Sequence, residues 1–317
     1  MKAMAVVYEA ERTIAFREVQ VPEPKEDEIA VDVLHSWISI GTEKSILFGE
    51  RIQHYPIVPG YQKVGVVRSI GSAVRNFRIG DPVFVSYSAV QGLGSGWAGH
   101  VSVAVVQANM VFRLPVQHPP VRYSPLVVAQ VGYNSASRVP INTGDRVLVI
   151  GDGLVAHWTA QSLLQRGAEV TVAGRHSSKL ERLPQRVNKL LLSQKAELTQ
   201  AIDQDELHAV VDTVGSVQLI SELLPRMRRD SHWVNTGFIG HNYMLDLRLL
   251  VEKEITLHMP NGRTQSRMKA TFDEIVAGHL QTESLITHRF PAEKVREAWE
   301  MILDKSQCCL GVVLDWR

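Results

Sequence analysis

The sequence predicts an α/β protein in two parts: a β-rich first half, then a doubly wound parallel sheet of alternating strands and helices. Three observations carry this. Short β-type runs such as Val31-Asp32-Val33 and Val83-Phe84-Val85 are broken by Pro22-Glu23-Pro24 and Gly80-Asp81-Pro82. Beyond about residue 120, continuous apolar runs of buried-strand type alternate with helix-length segments. Between the first such strand and its helix stands Gly151-Asp152-Gly153-Leu154-Val155-Ala156.

Taken in order, residues 64–70 and 83–85 read as strands and residues 91–97 as a Gly-rich loop. No helix-period segment of any length shows in this half, which predicts a small barrel. A helix is expected over 125–138, a strand over 146–150 and a helix over 154–166. Further strands follow at 169–173, 209–213, 233–237 and 254–258. Helices over 267–277 and 291–303 and a strand over 311–314 close the chain. This pattern places one domain over 1–120 and 266–317 and another over 121–265. No internal repeat is visible.

The 317 residues suffice for roughly two domains, and 45% of them are hydrophobic. Lys and Arg number 34 against 33 Asp and Glu, a net charge of +1 that argues against nucleic-acid binding through bulk positive charge. No apolar run approaches the roughly 20 residues that span a bilayer, and the stretch before Glu9 is too short for a signal peptide. The cysteines, Cys308 and Cys309, are adjacent and cannot staple distant segments. A cytoplasmic protein acting on a small molecule is the expectation.

The glycine turn carries the most chemistry. Gly151 permits a tight turn, Gly153 lets the backbone approach a pyrophosphate, and Ala156 is small enough for helix–strand packing. Leu154 and Val155 begin the helix, where free N–H groups face an anion. An empty glycine turn in the same fold is the competing reading. About 20 residues on, an acid would accept a ribose 2′-hydroxyl; here the chain reads Gly174-Arg175-His176-Ser177-Ser178-Lys179. With no carboxylate in this stretch, Arg175 and Lys179 point to a 2′-phosphate, hence NADP(H) rather than NAD. Solvated surface charge is the plainer alternative. Asp212-Thr213-Val214-Gly215 and Asn235-Thr236-Gly237-Phe238 follow parallel strands, where open α/β sheets bind ligands. Asp212, Val214, Thr236, Gly237 and Phe238 are therefore candidates too, with ordinary turn chemistry as the rival.

This order of parts resembles the medium-chain dehydrogenase/reductase superfamily over essentially the whole chain, which implies a GroES-like catalytic domain and a Rossmann domain. Zinc alcohol dehydrogenases of that superfamily hold their metal with Cys-Gly-Thr-Asp and Gly-His-Glu-x-x-Gly segments. Here these read Ile40-Gly41-Thr42-Glu43 and Gly60-Tyr61-Gln62-Lys63-Val64-Gly65, and the third ligand falls at Gln130. Ile, Tyr and Gln cannot make that site, and the cysteines of a structural zinc lobe are missing, so no zinc is expected. Ser39-Ile40-Gly41-Thr42-Glu43-Lys44, Val58-Pro59-Gly60-Tyr61, Leu285-Ile286-Thr287-His288-Arg289 and Leu314-Asp315-Trp316-Arg317 resemble a zinc-free branch. It is that of the bacteriochlorophyllide (3-hydroxyethyl) dehydrogenases, which make a ketone from an alcohol on a flat ring.

The resemblance implies interconversion of a secondary alcohol and a ketone by hydride transfer. Reduction of a conjugated C=C bond in an enone or quinone, or NADPH binding without turnover, are the alternatives. Without a metal, hydrogen-bond donors must stabilise the reacting oxygen. Tyr61 and Thr42 are the candidates to contact it. Lys44 or Glu43 would tune them, unless those two form a salt bridge within the loop. Ser45 stands at the relay histidine's position, and backbone groups of Gly237 and Phe238 would meet the nicotinamide carboxamide. Trp97 is a candidate substrate cap, and Trp37, Tyr55, Tyr133 and Phe238 candidate flat walls. His157 and His288 read as structural, and the edge-strand pairing of the superfamily's nucleotide domains makes a homodimer the expectation from the resemblance.

Overall fold

The computed structural model describes residues 1–51, 54–94, 98–193, 196–204, 206–216, 218–239, 244–304 and 306–317. Met1–Val127 with Thr282–Arg317 form one compact unit and Val128–Gln281 another. In chain order the first unit supplies β1 (Lys2–Ala10), β2 (Thr13–Gln20), β3 (Glu28–Trp37), α1 (Ile40–Leu47), β4 (Lys63–Ile70), β5 (Pro82–Val85), β6 (Val103–Gln107) and β7 (Phe112–Arg113). Helix α2 (Leu126–Ala136) starts at the boundary. The second unit continues with β8 (Arg146–Ile150), α3 (Leu154–Gln165), β9 (Glu169–Gly174), α4 (Ser177–Leu180), β10 (Asn188–Leu191) and α5 (Ala196–Gln200). It ends with β11 (Leu207–Asp212), α6 (Gln218–Leu223), β12 (Met227–Asn235), α7 (Arg248–Val251), β13 (Thr256–His258) and α8 (Gln265–Val276). The chain then returns to the first unit with β14 (Ile286–Pro291), α9 (Val295–Leu303) and β15 (Gly311–Asp315).

In the first unit a seven-stranded sheet runs β14-β15-β3-β4-β5-β7, with β6 also paired to β3. Strand β3 is its hub, antiparallel to β4, β6 and β15. Successive side chains of β1 serve two cores, as the pleat requires: Ala5 and Val7 join one cluster, Val6 and Tyr8 the other. Trp37 is fully buried and packs on Gly311, where a Cβ would come within 2.4 Å of the indole. Trp37 is therefore core, not a substrate wall. Lys63 is buried as well, and its ammonium donates to the carbonyls of Ala98 (2.9 Å) and Ser86 (3.3 Å), tying β4 to two loops.

The sequence showed no helix in this half, but α1 is there. It has only eight residues and a weak apolar stripe; burial of Ile46 and Leu47 stabilises it where propensity would not.

In the second unit the sheet order is β10-β9-β8-β11-β12-β13, all parallel. Numbered from β8, this is 3-2-1-4-5-6, which reverses direction between β8 and β11. Both faces are covered: Val147 and Val149 pack with Ala156, Ala160 and Leu163 of α3, while Leu148 and Ile150 pack with Leu219, Ile220 and Leu223 of α6. Gly153 stands at the N-cap of α3, and Gly167 at φ 90° follows its last turn. Helix α8 groups with this unit; Thr264 caps it by accepting from the Arg267 N–H.

Candidate active site

In the first unit, the residues before and within α1 meet the turn entering β4. The Tyr61 hydroxyl donates to Ser39 Oγ at 2.5 Å and also hydrogen-bonds the Thr42 side chain. Burial pushes the phenol pKa up to about 12, against the lowering effect of the Ser39 and Thr42 hydrogen bonds. No cation is among the groups that set it. Lys44 is exposed, its ammonium 5.8 Å from the Phe48 ring centroid. The expectation that Lys44 tunes Tyr61 is corrected: its side chain follows the outer face of α1.

Glu43 is fully buried. Its Oε1 accepts from the Ser39 N–H at 2.7 Å and its Oε2 pairs with His100 Nε2 at 2.8 Å. The alternative of a Glu43–Lys44 salt bridge thus gives way to a Glu43–His100 pair. His100 escaped the sequence reading because 57 residues separate it from Glu43 and no motif links them. Gly60, at φ 79°, leaves room for this imidazole, which a Cβ there would approach to 2.8 Å. Ser45 Oγ donates to the Thr42 carbonyl (2.8 Å), so it serves the helix. Gln62 Oε1 accepts from the Val127 N–H at 3.0 Å. Among the described residues, no group of three His, Cys, Asp or Glu could hold a metal ion. The capping role suggested for Trp97 lies outside the described residues.

In the second unit the glycine turn sits at the C-terminal end of β8. Gly151 has φ 114° and a Cβ there would come 2.3 Å from Thr213 Oγ1, so only glycine fits. Gly153 is exposed and a Cβ on it would meet nothing within 4 Å, leaving open space in front of the first turn of α3, where Leu154 and Val155 are half-buried. The turn thus fits a dinucleotide pyrophosphate.

Asp152 changes the picture drawn from sequence. Its Oδ2 accepts from the N–H groups of Arg175 (2.8 Å) and His176 (3.0 Å) and from His176 Nδ1 (2.9 Å). A carboxylate therefore stands at the end of β9 after all, brought there by the glycine turn. Burial pushes its pKa up, yet the His176 ring and the two backbone N–H groups outweigh burial and hold it below the ordinary value. Gly174 allows this approach, since a Cβ there would fall 2.6 Å from that of Asp152. The Arg175 side chain is exposed and, among the described residues, makes no hydrogen bond or ion pair; Lys179 is partly exposed.

At the next strand ends the groups are engaged with one another. Asp212 accepts from the N–H groups of Val214 (2.7 Å), Gly215 (3.0 Å) and Ser216 (2.7 Å). Its carbonyl accepts from Thr236 N and Gly237 N, and Gly237 O accepts from Asn235 Nδ2. Asp212 and the Gly237 N–H thus build the loops, while the Gly237 carbonyl has one lone pair taken by Asn235. The Thr236 hydroxyl bonds that of Ser135 at 2.7 Å. Val214 and Phe238 remain as apolar side chains, 55% and 59% exposed.

Comparison with known proteins now has a geometry to attach to. The alcohol dehydrogenase GroES-like domain model matches residues 26–116 and an NAD(P)-binding model matches residues 142–237. With both parts present, the chain belongs to the medium-chain dehydrogenase/reductase superfamily and is an alcohol dehydrogenase-type oxidoreductase with a nicotinamide cofactor. Its relatives include the 2-desacetyl-2-hydroxyethyl bacteriochlorophyllide A dehydrogenases of Cereibacter sphaeroides and Rhodobacter capsulatus. These are 27% and 26% identical, each match covering 100% of this chain and 99% of the relative. Similar solved structures include one described as a zinc-binding dehydrogenase of Sinorhizobium meliloti 1021 bound to NADP (TM-score 0.86, 18% identity, 99% of each chain). Another is an alcohol dehydrogenase of E. coli CFT073 complexed with NADH (TM-score 0.86, 20% identity, 99% of each chain). No helix among the described residues is long and apolar enough to cross a membrane.

Proposed function

We propose that this protein is an NADP-dependent, zinc-independent oxidoreductase that interconverts a secondary alcohol and a ketone on a bulky flat substrate. The observation that carries the reading is the Tyr61 hydroxyl, held by Ser39 and Thr42 where zinc relatives place a metal ligand. With its pKa near 12 the phenol stays protonated at neutral pH. Its one hydrogen, directed at Ser39 Oγ in the free site, turns to the reacting oxygen when substrate binds, Ser39 Oγ then donating to Oη, and is handed over as that oxygen becomes an alcohol. Ser39 Oγ and Thr42 hold the phenol in register. The bound nicotinamide supplies the hydride in reduction and receives it in oxidation.

Independence from zinc is supported by the donor set. Ile40 offers hydrocarbon, Tyr61 a protonated phenol and Gln62 an oxygen already engaged by Val127. Zinc takes thiolate, imidazole or carboxylate, and this set does not fit it.

The choice of NADP rests on the exposed Arg175 guanidinium and on Lys179. Against it stands Asp152, whose charge the His176 ring and two N–H groups help to neutralise. The flat substrate follows from the tetrapyrrole relatives. NADPH oxidation with aromatic ketones tests the reading, followed by product analysis with a conjugated enone. Allylic alcohol supports it; a saturated ketone replaces it with C=C reduction.

A further inference from the structure

We infer that His100 is a positioning residue for the Tyr61 cluster, held in its Nε2–H tautomer by Glu43 on one side and by Ser36, itself bonded to Trp316, on the other. The inference rests on the reading of Tyr61 as the proton donor. The chain begins with the Trp316 indole, which can only donate, and does so to Ser36 Oγ at 2.9 Å. Ser36 Oγ lies 2.8 Å from His100 Nδ1. The Ser36 oxygen accepts from the indole with one lone pair and is free to donate its own hydrogen to Nδ1; Glu43, which can only accept, decides that it does. The ring hydrogen is left on Nε2, 2.8 Å from Glu43 Oε2. The opposite tautomer would set the Nε2 lone pair against carboxylate lone pairs and leave the Ser36 hydrogen without an acceptor among the described residues.

Glu43 completes the chain. Its other oxygen takes the Ser39 N–H at 2.7 Å, which fixes the residue before α1 whose hydroxyl receives the Tyr61 proton at 2.5 Å. Ser36, Glu43 and His100 are at most 1% exposed, so water does not compete for these bonds. The same imidazole lies against Gly60, the residue preceding Tyr61. One ring thus orders both segments that aim the phenol, without touching substrate itself.

The test uses full-length, uniformly ¹⁵N-labelled protein and long-range ¹H–¹⁵N NMR of the His100 ring. The expected result is a proton on Nε2 alone; a proton on Nδ1 overturns the chain. In Trp316→Phe, which removes the indole donor, Glu43 should keep the proton on Nε2 while the Nδ1 resonance shifts as Ser36 relaxes; an unchanged ring signal would separate Trp316 from His100. Kinetically, His100→Leu should lower kcat on the order of 10²-fold with little change in the KM for NADPH, the signature of lost orientation. His100→Gln, which keeps an N–H near the Nε2 position, should recover most of it. Equal losses in both variants, or wild-type kcat in His100→Leu, would overturn the positioning role. Should His100→Leu fail to fold, the tautomer and the Trp316→Phe and His100→Gln comparisons still decide. Full turnover in Tyr61→Phe would refute the donor reading instead and leave the tautomer result standing by itself.

Discussion

The Asp152 carboxylate grips His176 twice, through the backbone N–H at 3.0 Å and through ring Nδ1 at 2.9 Å. A side chain from the glycine turn thereby clamps the loop after β9, where the adenosine ribose of a dinucleotide is read in this fold. Asp152→Ala removes the acceptor from two backbone N–H groups and one ring, at a cost of about 1–3 kcal/mol in stability. Thermal denaturation should show a lower Tm, and calorimetry a weaker affinity for NADPH. An unchanged Tm would mean the clamp is incidental. Because the folded-state pKa lies below its unfolded value, the contribution is present above that value and is lost as pH falls through the folded pKa.

The proposed preference for NADP rests on Arg175. Arg175→Ala should raise the Kd for NADPH by roughly 10–100-fold, the worth of one or two charge-assisted hydrogen bonds, and leave that for NADH nearly unchanged. Equal losses for both cofactors would assign Arg175 a role outside 2′-phosphate recognition.

For Tyr61 the direction of the pKa sets the pH behaviour. Ketone reduction should be insensitive to this group from pH 6 to 10, since the phenol stays protonated well below about 12. Alcohol oxidation needs the deprotonated form and should climb across the same range, without a plateau from Tyr61. Tyr61→Phe should cut kcat by about 10²-fold or more and abolish that climb, with NADPH affinity retained. Stopped-flow turnover at several pH values measures both.

Zinc independence is checked by removal. Exhaustive treatment with a chelator, followed by elemental analysis and assay, should leave turnover intact in protein containing far less than one metal per chain. Loss of activity restored by zinc would refute it.

Two histidines of the second unit should contribute to its response to acid. Burial pushes His157 down to about 4, and burial together with His208 and His258 does the same to His232. Both stay neutral in the folded unit while the unfolded chain takes up protons below about 6.5. Stability present above pH 6.5 should therefore decline between 6.5 and 4. In His157→Leu, Tm plotted against pH should be flatter over that window; an identical slope would remove His157 from the account.

Much of the second unit could be read from the chain because its signals are local. Val147–Ile150 is a continuous apolar run, and glycines at 151 and 153 follow at once, so strand, turn and helix are fixed by neighbours in sequence. The first unit hides its chemistry in long-range pairs. Tyr61 and Thr42 were legible through their place in a motif, but the groups that hold them were not. His100 meets Glu43, and Trp316 meets Ser36, across 57 and 280 residues. Asp152 shows the same limit at short range: its position in the glycine turn was plain, whereas its reach to residues 175 and 176 depends on the β8–β9 pairing. Short elements escaped for separate reasons: α1 spans barely two helical turns with a weak apolar stripe, and β10 (Asn188-Lys189-Leu190-Leu191) is an exposed edge strand with no alternation.

The pairing of β15 with the Trp37 end of β3 has a consequence for biosynthesis. During translation the nascent chain exposes residues 35–37 of β3 without their neighbour until residues 313–315 have left the ribosome. The contiguous unit Val128–Gln281 is by then fully synthesised and free to fold. The first unit must wait with an open strand edge, the feature that recruits holding chaperones and, in their absence, seeds aggregation.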